Sequence, residues 1–64
     1  MKKEELKTKL ENFSLGEIAD AYELFNPEFF NGCYDIPTTW DGWTEQISED
    51  INENGYSFED IFGE

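Results

Sequence analysis

A chain of 64 residues with a formal net charge of -12 is long enough for one small domain, which we expect to span residues 1–64. All four basic residues lie within the first nine positions, and the fourteen acidic residues that follow Leu10 have no Lys, Arg or His among them. This balance excludes direct binding of nucleic acid or of an anionic membrane, and it favours a cationic protein partner.

The catalytic chemistry open to the chain is narrow. With no His and a single cysteine, Cys33, it lacks the residues for a Ser-His-Asp or Cys-His arrangement and for the usual tetrahedral zinc sites. We therefore predict that it is not an enzyme. A charged N-terminal stretch without an apolar segment predicts no signal peptide, and no run is long enough to cross a membrane, so we expect a cytoplasmic protein.

Two helices are predicted in the first 25 residues. Residues 2–12 carry leucines on one side, with acids near the start and lysines later, the order that the helix dipole favours. Ser14 and Glu17 then match a capping box that opens a second helix over residues 15–25. Three acids lie on the outer face of this helix or on its flank: Glu17, Asp20 and Glu23.

The middle of the chain is predicted to be mostly irregular. Asn26 followed by Pro27 is a start signal for one helical turn, and Gly32 is a stop signal. Residues 33–37 are expected to be extended, because the residue before Pro37 is pushed away from helical angles, and a short strand can form there. One strand alone makes no sheet, so the predicted class stays all-α.

The most strongly patterned segment is a helix predicted over residues 40–53, which Thr38 or Thr39 caps and Asn54-Gly55 ends. Its apolar residues form one stripe: Trp40, Trp43, Ile47 and Ile51. On the opposite side, acids recur at every fourth position and form what we call the acidic stripe: Asp41, Glu45, Glu49 and Glu53. Like charges four residues apart destabilise an isolated helix, and no cation lies nearby in the sequence to offset them. We therefore predict that the acidic stripe binds a cationic partner.

A last helical turn is predicted over residues 58–62, opened by Ser57 with Asp60 three residues on. Its apolar residues can cover the open end of the core. Eleven aromatic residues supply enough burial for that core despite the high net charge. The expected architecture is a bundle of three main helices with one or two short helical turns.

Residues 50–60 resemble, in part, an EF-hand calcium loop. Oxygen-bearing side chains at loop positions 1, 3 and 5 and a glycine at position 6 match its first half, but the second half is one residue short. The resemblance implies calcium as an alternative cofactor, with these candidate ligands: Asp50, Asn52, Asn54, Glu59 and Asp60. The competing interpretation is a helix C-cap at Asn54-Gly55 followed by an N-cap at Ser57, which requires no metal.

The chain as a whole is similar to a functional class, the small acidic DNA-mimic inhibitors. These proteins are typically phage-encoded and include many anti-CRISPR proteins, antirestriction proteins and uracil-DNA glycosylase inhibitors. The similarity lies in size, charge sign, aromatic content and missing catalytic residues over residues 10–64. It implies a non-enzymatic inhibitor that acts in the host cytoplasm, occupies the cationic nucleic-acid channel of a CRISPR effector or nuclease, and excludes DNA.

We predict that the partner-binding surface combines the acidic stripe, the acids of the second helix and an aromatic anchor: Asp41, Glu45, Glu49, Glu53, Glu17, Asp20, Glu23 and Tyr34. The confined lysines indicate that the first helix faces away from the partner or docks on the protein's own acids. Two alternatives stay open, an EF-hand-like calcium-binding module and a small acidic regulatory protein without DNA mimicry. The sequence fits a monomer or a homodimer.

Overall fold

The computed structural model describes residues 1–32 and 35–63, and this part of the chain contains five helices and no strand. The helices are α1 Lys3–Leu10, α2 Leu15–Phe25, α3 Pro27–Asn31, α4 Trp40–Asn52 and α5 Phe58–Phe62. The all-α class, with three main helices and two short helical turns, is thereby confirmed. Residues 35–37 do not form the short strand considered above, and Cys33 and Tyr34 lie outside the described residues.

Side-chain caps set the starts of the two longest helices. Ser14 Oγ accepts a hydrogen bond from the backbone N–H of Glu17 at 3.1 Å, and the Glu17 carboxylate accepts one from the N–H of Ser14 at 2.9 Å. This is the predicted capping box, which satisfies two backbone donors at once. Thr39 is the residue that caps α4, because its Oγ1 accepts from the N–H of Gly42 at 3.0 Å.

The connection from α4 to α5 contains a backbone hydrogen bond and a second capping box. The last helical residue of α4 is Asn52, one residue earlier than predicted. Gly55 has a φ of +78°, in the left-handed region that favours glycine. The N–H of Tyr56 donates to the carbonyl oxygen of Asp50 at 3.2 Å. Ser57 then opens α5 through a reciprocal capping box with Asp60.

All five helices contribute to one buried core, whose members are Leu6, Leu10, Ile18, Tyr22, Phe29, Trp43, Ile47 and Ile61. The predicted apolar stripe of α4 is buried at Trp43 and Ile47, but Trp40 is 37% exposed. Trp40 is the first residue of α4, so it lies at the rim, where its indole N–H donates to the carbonyl oxygen of Phe13 at 2.9 Å. No helix among the described residues has the length and apolar character needed to cross a membrane.

Truncating a core residue tests this packing. We expect Ile47→Ala to lower the free energy of unfolding by about 2–5 kcal/mol, because Ile47 is fully buried and its loss leaves a cavity. The matched control is Leu24→Ala, which removes a side chain that is 88% exposed and should change stability by less than about 0.5 kcal/mol. Urea denaturation followed by circular dichroism measures both. Equal losses for the two variants would contradict the assignment of the core.

Candidate functional site

The acidic stripe lies on the solvent side of α4, as its spacing predicts. All four carboxylates are exposed, while Trp43 and Ile47 on the opposite side of the helix are buried. The amphipathic pattern of α4 therefore places the acidic stripe and the core on separate faces. The acids of the stripe differ, however, in what they contact.

The first half of the acidic stripe is paired with lysines of α1. Lys3 Nζ lies 2.9 Å from Glu45 Oε2, and Lys7 Nζ lies 2.8 Å from Asp41 Oδ1. The two lysines are four residues apart on α1 and the two acids are four apart on α4, in opposite order, so the helices run antiparallel with matching charges. The hydrogen bond to Asp41 and its negative charge raise the pKa of Lys7 above its usual value.

This pairing decides between the two roles predicted for the first helix, since α1 docks on the protein's own acids. Each lysine is more than thirty residues away from its acid in the sequence, so the sequence alone did not predict these ion pairs. Both ion pairs are solvent-exposed and therefore add little to folding stability. Their main effect is on the surface, because they neutralise Asp41 and Glu45.

The second half of the acidic stripe lies near a lysine that is bonded elsewhere, since Lys3 borders the same groove as Glu49 and Glu53 while its ammonium pairs with Glu45. Glu49 and Glu53 are exposed and form no ion pair within residues 1–32 and 35–63. Glu49 also borders an open groove of about 750 Å³ between α3 and α4, together with Asn26, Glu28, Phe29, Asn31, Gly32 and Gln46. Glu28 thus faces the same groove as Glu49. The unpaired acidic surface extends from α4 toward α3.

The acids of α2 form a second exposed group, which we call the α2 patch: Glu17, Asp20 and Glu23. None of them has an ion-pair partner in the described part of the chain. Glu17 also holds the capping box of α2. The predicted anchor Tyr34 lies outside the described residues, so the structure neither joins it to these acids nor separates it from them.

Four of the five candidate calcium ligands are engaged in other contacts, whereas Glu59 is exposed. Asp50 and Asn52 belong to α4 rather than to a loop, and the Asn52 side chain bonds to Ser48 Oγ and to both backbone groups of Met1. Asp60 is bound in the capping box of α5. Among the described residues, no group of three or more His, Cys, Asp or Glu is arranged to hold a metal ion. These contacts favour the capping interpretation of residues 54–57.

Asp50 has a role that sequence reasoning missed. It is a buried carboxylate, 7% exposed, whose Oδ2 accepts a hydrogen bond from the Tyr22 hydroxyl at 2.5 Å. Its Oδ1 accepts from Asn54 Nδ2 at 3.4 Å, and Gln46 Nε2 donates to the Tyr22 hydroxyl oxygen at 3.2 Å. The signal available in the sequence was its position, since Asp50 is three residues after Ile47 and so lies near the buried face of α4.

Burial also affects the pKa of Tyr22, the hydrogen-bond donor of this pair. Desolvation, together with donation to Asp50, raises the pKa of the Tyr22 hydroxyl far above its ordinary value of 10. Ionising Tyr22 would place a second negative charge beside the Asp50 carboxylate inside the protein. The pair is therefore a structural link between α2 and α4.

Comparisons with known proteins add no family to these observations: no family model, curated protein or solved structure matches the chain significantly.

Removing the Tyr22 hydroxyl should destabilise the fold. We expect Tyr22→Phe to lower the free energy of unfolding by about 1–3 kcal/mol, because Asp50 then keeps a buried carboxylate without its main donor. The matched control is Tyr56→Phe, since Tyr56 is 45% exposed and its hydroxyl has no hydrogen bond to any described residue. Urea titrations of the three proteins make the comparison, and a neutral Tyr22→Phe would contradict this role.

The raised pKa of Tyr22 also predicts a pH dependence. Below pH 10 the hydroxyl is protonated in both states, so its stabilising contribution is complete. Above pH 10 the unfolded chain loses this proton while the folded chain keeps it, so the free energy of unfolding falls as the pH rises. Tyr22→Phe should remove this component of the slope. Denaturation curves at about pH 9 and about pH 11 measure it, and identical slopes in the two proteins would contradict it.

Proposed function

We propose that this protein is a non-enzymatic inhibitor that binds the cationic nucleic-acid-binding surface of a host defence or DNA-processing enzyme, such as a CRISPR effector or nuclease. In this proposal the chain is a DNA mimic of the anti-CRISPR or antirestriction type and acts in the cytoplasm of the host cell. It occupies the channel that DNA would enter, so DNA binding and inhibitor binding exclude each other.

One observation supports the proposal above the others, which is the one-sided distribution of charge. All four cations come from the first nine residues, and two of these, Lys3 and Lys7, are directed at acids of α4. The helices α2 and α3 and the second half of α4 contribute exposed carboxylates and no Lys, Arg or His of their own, whereas Lys9 lies over the Phe58 ring of α5 at 4.8 Å. A mixed-sign surface would keep a small protein soluble without this self-repulsion, so solubility alone does not require the pattern.

The spacing of the unpaired acids is compatible with mimicry of a phosphate backbone. Glu49 and Glu53 are one helical step of four residues apart, a rise of roughly 6 Å. Along one DNA strand the axis rises roughly 3.4 Å per phosphate, so every second phosphate lies roughly 6.8 Å further along it. Glu28 adds a carboxylate across the groove beside Glu49, so the row does not end with α4.

The mechanism that follows is electrostatic competition. Long-range attraction between the acidic surface and a basic channel accelerates encounter, and the bound inhibitor places carboxylates where phosphates would lie. Because both partners are highly charged, binding should weaken steeply as salt increases. No step requires a bond to be made or broken, which agrees with the absence of His from the sequence.

The ion pairs of α1 provide a test with a matched control. A tagged chain first captures its target from host lysate, and the captured nuclease or CRISPR effector is then assayed by competition with fluorescent duplex DNA. We expect the double variant Lys3→Gln, Lys7→Gln to bind roughly fivefold more tightly, because it frees Asp41 and Glu45 for the partner. The control Lys2→Gln, Lys9→Gln removes the same positive charge but leaves both ion pairs intact.

Reversal of the unpaired acids should have the opposite effect. We expect Glu49→Lys with Glu53→Lys to weaken binding at least roughly tenfold, because like charges then face each other in the complex. A ternary complex that holds DNA and inhibitor together would contradict mimicry, as would binding that is unchanged between 50 mM and 500 mM salt. If the two double lysine variants changed the affinity equally, net charge would govern binding and the acidic stripe would not.

A further inference from the structure

The outer face of α2 carries an exposed leucine as well as acidic residues. Glu17, Asp20 and Leu24 are spaced at i, i+3 and i+7, which places them on one ridge of the helix. All three are exposed, whereas Ile18 and Tyr22 on the opposite side are fully buried. The ridge of acids therefore ends in a leucine that points away from the core.

Leu24 differs from the other large apolar residues at the surface. Met1, Ile36, Trp40 and Tyr56 are 37–45% exposed, whereas Leu24 is 88% exposed. Tyr56 packs its ring against Phe25 at 4.9 Å, and Trp40 donates a hydrogen bond to the carbonyl oxygen of Phe13. Leu24 contributes almost no burial to this fold, so a helix of the same stability could carry Lys or Glu at that position.

The charge around Leu24 limits what could cover it. The α2 patch contributes three carboxylates, α2 contains no basic residue, and the α1 lysines that form ion pairs are directed at α4. Nucleic acid and anionic lipid would be repelled from this face. A protein surface with lysines or arginines around an apolar recess is complementary to it, because the cations meet the carboxylates while the recess takes the leucine.

We infer that the outer face of α2 is the docking surface for such a cationic protein, with Leu24 as the apolar anchor and Asp20 and Glu23 as the charged rim. This inference deepens the proposed function, because it rests on a cationic partner and assigns the main contact to α2. The acidic stripe of α4 is the weaker candidate for that contact, since half of its carboxylates are already paired within the chain.

Two synthetic peptides of equal positive charge test the surface without a known partner, one with lysines alternating with leucines and one with lysines alternating with serines. Binding to the isotopically labelled protein is followed by amide NMR. We expect the leucine peptide to bind at least about tenfold more tightly than the serine peptide. Its shift changes should centre on residues 17–24. Equal affinities, or changes centred on Glu49 and Glu53, would overturn the inference.

Variants of the anchor separate the apolar contact from charge. Leu24→Ala should abolish the preference for the leucine peptide without changing the salt dependence of binding, because it removes apolar contact and no charge. Its folding is not in question, given the exposure of the side chain. Ile36→Ala is the matched control, since it truncates an exposed apolar residue outside α2. A preference that survives in Leu24→Ala would overturn the anchor role.

Variants of the rim complete the test. Asp20→Lys with Glu23→Lys should weaken both peptides at least about tenfold. Glu4→Lys with Glu5→Lys makes the same charge change on α1 and should weaken them less than about threefold. Glu17 is left unchanged because it caps α2.

If the peptides confirm the surface but no nucleic-acid-binding enzyme is inhibited, the proposed function fails alone. If an enzyme is inhibited and Leu24→Ala inhibits it equally well, the docking surface fails alone.

Discussion

The hydrogen bond between Tyr22 and Asp50 is the constraint on which the arrangement of the helices depends. The Tyr22 ring lies among aromatic neighbours on three helices, with centroid distances of 5.0 Å to Phe29 and 5.2 Å to Trp43. Its hydroxyl reaches the carboxylate of Asp50, which is buried and needs a donor because no cation of the described chain is near it. One side chain therefore joins the apolar core to a polar link between α2 and α4.

The packing of the helices determines which acids meet solvent. With Tyr22 and Asp50 facing each other, the α2 patch and the acidic stripe both point outward. α1 then covers part of α4 and brings two lysines onto Asp41 and Glu45. The ion pairs add little stability because they are exposed, yet they divide the stripe into a neutralised half and a free half. The charged surface available to a partner is thus set by helix packing.

Much of this fold was predictable, because many of its signals are local. The capping boxes at Ser14 and Ser57 each satisfy backbone donors within three residues, so their spacing identifies the starts of α2 and α5. Trp40 belongs to the apolar stripe by its spacing but is 37% exposed, since periodicity cannot tell a helix end at the rim from a turn in the middle. Asp50 and Asn54 match calcium-loop positions in the sequence. In the fold, however, Asp50 accepts hydrogen bonds from Tyr22 and from Asn54.

By itself, the sequence determined the helical class, the separation of the acidic stripe from the apolar residues of α4, and the confinement of the lysines to the first nine positions, because periodicity, capping and charge distribution depend on residue order alone. The tertiary structure decided which acids are free, since Lys3 and Glu45 are 42 positions apart and meet only when α1 packs antiparallel on α4. It also decided which donor Asp50 meets, since Tyr22 lies 28 positions away on another helix. Those outcomes depend on contacts between distant segments, which no local pattern encodes.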